Sequence, residues 1–201
     1  AVLLVASLAA PAAVRGEDPD WPCRQRLVPR LEASSLWPGP MPPEEGAWRT
    51  TPAVRALVAR IVPRQVTEEE ARQAIEAFVA PLDPSARRTQ LPLVFAGLLE
   101  ETNRQRADLI ERIKAFARRQ RTLAEAVNRL TAELDAVPAE AAGEAAARRA
   151  ELEQRQFFAA KAFQDAERTM RYACEAPVQL EARLGAYARA LEAALPEVGA
   201  R

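Results

Sequence analysis

The sequence predicts an all-α protein: a helical bundle with a long antiparallel coiled-coil-like hairpin and an N-terminal extended arm rich in proline and tryptophan. Three observations carry this. Apolar residues recur at alternating spacings of four and three between Leu109 and Leu134, and again between Leu152 and Ala173, the heptad mark of paired helices. Prolines crowd the region ahead of them, where they forbid a helix interior. Between arm and heptads lie helix start signals, the clearest being Thr67-Glu68-Glu69-Glu70.

Ala1 to Val14 read AVLLVASLAAPAAV, an apolar run too short to span a bilayer, which needs ~20 residues. Residues 1–16 are read as part of a secretory signal peptide, with small-x-small cleavage sites at Ala10-Pro11-Ala12 and Val14-Arg15-Gly16. A buried N-terminal helix and an uncleaved anchor are the alternatives. Export predicts a Cys23–Cys174 disulfide, because an oxidising compartment favours pairing of an even number of cysteines. The bond would close a loop for which the chain-entropy model gives ~5 kcal/mol. Two free thiols are the alternative.

Residues 17–51 form the arm, with Pro19, Pro22, Pro29, Pro38, Pro40, Pro42 and Pro43. It holds all three tryptophans, Trp21, Trp37 and Trp48, which a disordered linker would normally lack. The arm is read as a strap over the helical body, with the tryptophans as pegs and Cys23 as a clip. A binding patch of exposed tryptophan is the other reading.

Residues 52–201 form the helical domain. Thr51 can cap a helix starting at Pro52 and carrying Val54, Leu57, Val58 and Ile61. Thr67 and Glu70 make a capping box for a second helix, with Ile75, Phe78 and Val79 inward, broken by Pro81, Asp83 and Pro84. The hairpin is placed at 92–175. Its first arm runs from Pro92 to about Asp135, ~65 Å at 1.5 Å per residue. Leu109, Ile113, Phe116, Leu123, Val127, Leu130 and Leu134 line it, with Gln120 in the one gap. Val137 and Pro138 make the turn, and Pro138 can open the return helix. Leu152, Gln156, Ala159, Phe163, Ala166, Met170 and Ala173 form the facing stripe, small residues against large. A turn near Val137 sets Leu123 opposite Leu152 and Phe116 opposite Ala159. Beyond Pro177 the chain either continues the arm or folds back. Residues 52–82, the C-terminal segment and the strap would form a compact base, and the tip would lie near 135–143.

The 28 basic and 28 acidic residues among 201 cancel. That argues against nucleic acid or an anionic membrane as partner, since either requires a basic face. Arg118, Arg119 and Arg121 are the densest basic group and read as a solvated helix face. Histidine is absent, which removes Ser-His-Asp and Cys-His catalysis and the commonest metal ligand. No catalytic residue, metal ligand or cofactor is expected. Carboxylates such as Glu68, Glu69, Glu70, Glu100 and Glu101 interleave with arginines at helix-pair spacing. Phe157 and Phe158 are adjacent and cannot both face one partner. One of them marks a second contact surface, read first as intramolecular and otherwise as part of a homodimer.

Asp20-Trp21-Pro22-Cys23, then Gln25, Pro29 and Trp37-Pro38-Gly39-Pro40, resemble the mature start of a family of exported, periplasmic, all-helical proteobacterial proteins with a DWPC-type N-terminus. The resemblance spans about twenty residues, carries no activity and implies a periplasmic location. Val66-Thr67-Glu68-Glu69-Glu70 is also similar to the Leu-Thr-x-x-Gln motif of small helical periplasmic chaperones of the envelope-stress response, departing from it at both ends. The expected function is a periplasmic adaptor or scaffold without catalysis that binds protein partners. Candidate contacts are Trp21, Trp37, Trp48, Val137, Pro138 and Phe157. A chaperone or stress-sensing protein holding unfolded clients is the second expectation, and an enzyme with a carboxylate site the third.

Overall fold

The computed structural model describes residues 18–40 and 44–196. The expected signal segment, Pro42 and Pro43 lie outside the described residues. The described chain is helical, with helices α1 (Pro52–Ile61), α2 (Glu68–Val79), α3 (Pro84–Asp135) and α4 (Glu144–Ala193), preceded by two short 3-10 turns at Ala33–Ser35 and Ala47–Thr50. Helices α3 and α4 pack along each other as an antiparallel hairpin. The arm lies along its root.

Local chemistry sets most boundaries. Pro52 opens α1 after an extended Thr51, whose hydroxyl makes no capping bond. The α2 capping box forms as its residues dictate: the Glu70 N–H donates to the Thr67 hydroxyl, and the Glu70 carboxylate accepts from the Thr67 N–H. Helix α3 begins eight residues before the expected Pro92. Asp83 accepts from the Ala86 N–H at 2.8 Å, and Pro84 takes the first helical position. The Asp83-Pro84 pair ends the preceding turn and also starts a helix. Pro92 sits inside α3, buried between Leu91 and Val94. Packing on that face holds the helix through a residue that removes one backbone donor.

The return helix starts at Glu144, after Gly143 at φ +61°, and not at Pro138. Pro138 accepts from the Ala141 N–H in a turn. Arg149 closes the tip by donating to the carbonyls of Val137 (2.7 Å) and Leu134 (3.4 Å), satisfying carbonyls that a helix end leaves open. The longer tip moves the register by about ten residues, nearly three helical turns, as the Gln156–Thr131 and Met170–Ile113 contacts show. Phe163, not Ala159, lies beside Ala117, Gln120 and Ala124, and Met170 packs with Ile113 and Ala117. Helix α4 then passes straight through Pro177 to Ala193, so the C-terminal stretch continues the arm.

The main core sits at the hairpin root. Val54, Val58 and Ile61 of α1, Ile75 of α2, Leu91, Val94, Phe95 and Leu98 of α3, and Leu184 and Leu191 of α4 are nearly free of solvent. Each such side chain contributes about 1.5–3 kcal/mol through burial. Trp37 and Trp48 complete this core at 4% and 5% exposure. Trp37 stacks on Phe95 with ring centroids 4.7 Å apart, and Trp48 donates to Glu100 at 2.7 Å. Gly97 is required beneath Trp48, because a Cβ there would lie 2.8 Å from the indole and 2.9 Å from Val58. These two tryptophans are therefore pegs, and their candidacy as exposed contacts is withdrawn.

Candidate interaction surfaces

The strap runs up α3 from the base. Leu31 and Asn103 exchange two bonds, Leu31 N–H to Asn103 Oδ1 at 2.8 Å and Asn103 Nδ2 to Leu31 O at 3.0 Å. Next, the buried Arg106 donates to Val28 O at 2.9 Å and to Pro177 O at 2.6 Å, tying strap, α3 and α4 at one point. Burial pushes its guanidinium pKa down, and Glu181, 3.6 Å away, opposes that. Its Nε has no partner among the described residues.

Higher up, Cys23 and Cys174 form a disulfide with Cα atoms 5.6 Å apart. Gln25 donates to Cys174 O at 2.5 Å, and Trp21 donates to Gln25 O at 2.7 Å. Trp21 is half-buried. With Cys23 and Cys174 it covers a second small apolar cluster of Ile113, Ala117 and Met170. The strap end is held by charge. Lys114 pairs with Asp18 at 2.9 Å, while Arg118 and Arg121 both grip Asp20. Arg118 and Arg121 thus bind the strap, where a plain solvated face was expected. Hydrogen bonding from Lys114 lowers the Asp18 pKa, and that from Arg118 and Arg121 lowers the Asp20 pKa. A cavity of about 900 Å³ opens beside the disulfide, walled by both cysteines, Met170, Arg171 and Val178.

Among the described residues no third layer covers the hairpin beyond Arg121. Leu123, Val127, Leu130 and Leu134 are only half-buried, as are Ala159, Phe163 and Ala166. Phe157 and Phe158 are 61% and 58% exposed, edge to face with each other at 5.6 Å. Among the described residues the expected intramolecular contact is not made. Heptad arithmetic explains this: Leu152, Gln156, Ala159 and Phe163 occupy the seam, and 157–158 fall on the opposite face. Tyr172, two heptads after Phe158, is 74% exposed, and Val178 is 49% exposed. The same arithmetic would have flagged both. At the tip, Val137 is half-buried and Pro138 exposed.

Four of the five candidate carboxylates are engaged elsewhere. Glu69 pairs with Arg72, and Glu70 caps α2. Glu100 accepts from Trp48 and Arg49, and Glu101 pairs with Arg104. Hydrogen bonding from Arg49 chiefly holds the Glu100 pKa down. Among the described residues no group of His, Cys, Asp and Glu is placed to hold a metal ion, and no helix is long and apolar enough to cross a membrane. Comparison with protein-family models, curated proteins and solved structures finds no match to this chain.

Proposed function

We propose that this chain is an exported, periplasmic adaptor whose base anchors a hairpin and whose hairpin presents an aromatic contact face to a protein partner. One observation carries the reading: Phe157 and Phe158 stand exposed together on the outward face of α4, away from the seam and far from the core. Exposed aromatic pairs on a rigid element suit a binding hot spot, since large rings give contact area at low entropic cost. The Cys23–Cys174 disulfide fits an oxidising compartment.

The test is photo-crosslinking in living cells, with the probe in place of Phe158 and separately of Ala139. One discrete adduct at Phe158, lost on Phe157→Ala, supports the adaptor. Absence of any adduct at either position sinks it. The half-buried seam above Arg121 favours a second reading, a chaperone holding unfolded clients on apolar surface. A smear of adducts and suppressed client aggregation in vitro would select that reading. A crosslink only to a second copy would make the surface a homodimer face.

A further inference from the structure

We propose that the Cys23–Cys174 disulfide is a redox latch on the strap: its reduction releases residues 18–25 and uncovers the apolar patch formed by Ile113, Ala117 and Met170. Two placements point to this. The disulfide lies in the wall of the 900 Å³ cavity, where a thiolate can reach it from solvent. Disulfides that are open to exchange are the labile and regulatory ones. The bond also lies at the boundary between two kinds of attachment. Below it, Leu31 and Val28 are fastened by buried groups, Asn103 and Arg106. Above it, the strap is held by the ion pairs of Arg118 and Arg121, about half open to solvent, by the more enclosed Lys114–Asp18 pair and by a half-buried Trp21. Exposed ion pairs contribute little once screened, and they must hold eight residues in place against chain entropy. The covalent bond therefore decides whether this segment stays down.

The reaction is a two-electron exchange with a dithiol. One thiolate of the dithiol attacks a sulfur of the protein disulfide, giving a mixed disulfide and one protein thiolate. The dithiol's second sulfur then displaces the other cysteine, so the dithiol leaves as a disulfide and both cysteines take up protons as thiols. The main core contains neither cysteine, so the base keeps its fold. What opens is a surface between the two arms of the hairpin that the oxidised protein keeps covered.

Full-length oxidised protein would be treated with dithiothreitol without denaturant. Tryptic cleavage at Arg24 and Arg26, binding of an apolar fluorescent dye and helix content would then be followed. The latch predicts two titratable thiols, cleavage at both sites faster by about tenfold or more as local opening becomes easy, new dye binding, and unchanged helix content. Cys23→Ser paired with Cys174→Ser should show the fast cleavage and the dye binding without reductant. Three results overturn the proposal: no thiols without denaturant, unchanged cleavage after reduction, or loss of helix content together with the cleavage. The last would make the bond a staple of the whole fold.

Discussion

The base and the outer hairpin are built from similar helices yet are stabilised differently. In the base, α1, α2, the strap and both long helices converge, and ten large side chains lose almost all contact with water. Among the described residues, α3 and α4 above Arg121 meet only each other, and Leu123, Val127, Leu130 and Leu134 stay half in solvent. A third layer separates the two regimes. Two amphipathic helices bury one stripe each, and a stripe alone leaves its edges wet. Stability therefore concentrates where function is least accessible, and exposed aromatic surface sits where the fold demands least.

The sharpest way to break this comparison is a matched pair of truncations read by urea unfolding. Leu91→Ala in the base should cost about 3–5 kcal/mol, because a fully enclosed site cannot collapse around the lost atoms. Leu130→Ala in the outer hairpin should cost about 1 kcal/mol, since half its surface is already wet. Equal costs would mean that the outer hairpin is as well packed as the base. At the boundary, Arg106→Ala should cost about 2–4 kcal/mol, as it removes a buried side chain and the bonds by which it ties Val28 of the strap to Pro177 of α4. An effect under about 0.5 kcal/mol, the usual range for a surface change, would show that Arg106 ties nothing together.

Acid should loosen the strap end, and it acts also on Glu70 in the α2 cap and on Glu100 beside Trp48, whose pKa values are likewise lowered. Asp18 and Asp20 have depressed pKa values when docked, so the unfolded segment binds protons more readily. Their contribution is complete above about pH 5 and is lost as pH falls below about 4 through the depressed values. Amide exchange over residues 18–25 in the oxidised protein, where the segment is docked, should quicken across that window beyond its intrinsic pH dependence. Asp20→Asn should flatten the response. The smallest stability effect belongs to the contact face. Phe157→Ala with Phe158→Ala should change unfolding by less than about 0.5 kcal/mol, while weakening partner binding about tenfold or more. A large loss of stability would show that the two rings pack within the fold.

Heptad spacing and capping chemistry act between near neighbours, so they could be read directly from residues. The hairpin, the Thr67 box and the inward faces of α1 and α2 all followed from them. Features fixed by tertiary contacts could not. Pro92 and Pro177 look like breaks, yet they lie within helices because packing outweighs one lost donor. The tip falls within 135–143 as the sequence predicts, but the return helix starts later, at Glu144, since Pro138 fits a helix start as well as it fits the turn it makes. The register moved with it. Of the interaction surface, Phe157 was legible and its exposure was not, because adjacency alone does not say which face is covered. Asn103 and Arg106, the buried polar clamps, had no signal beyond sitting in a long helix.

The strap's upper anchor at Arg121 also fixes a mechanical quantity. A beam clamped at one end bends with the cube of its free length. With Asp20 gripped, the free part of α3 runs from Arg121 to Asp135, about 21 Å. With the strap end released, the highest remaining clamp is Arg106, and the free length becomes about 44 Å. The tip then yields roughly an order of magnitude more to the same sideways force, with no helix unwound. The short segment beside Cys23 thus sets the stiffness of the whole projecting arm.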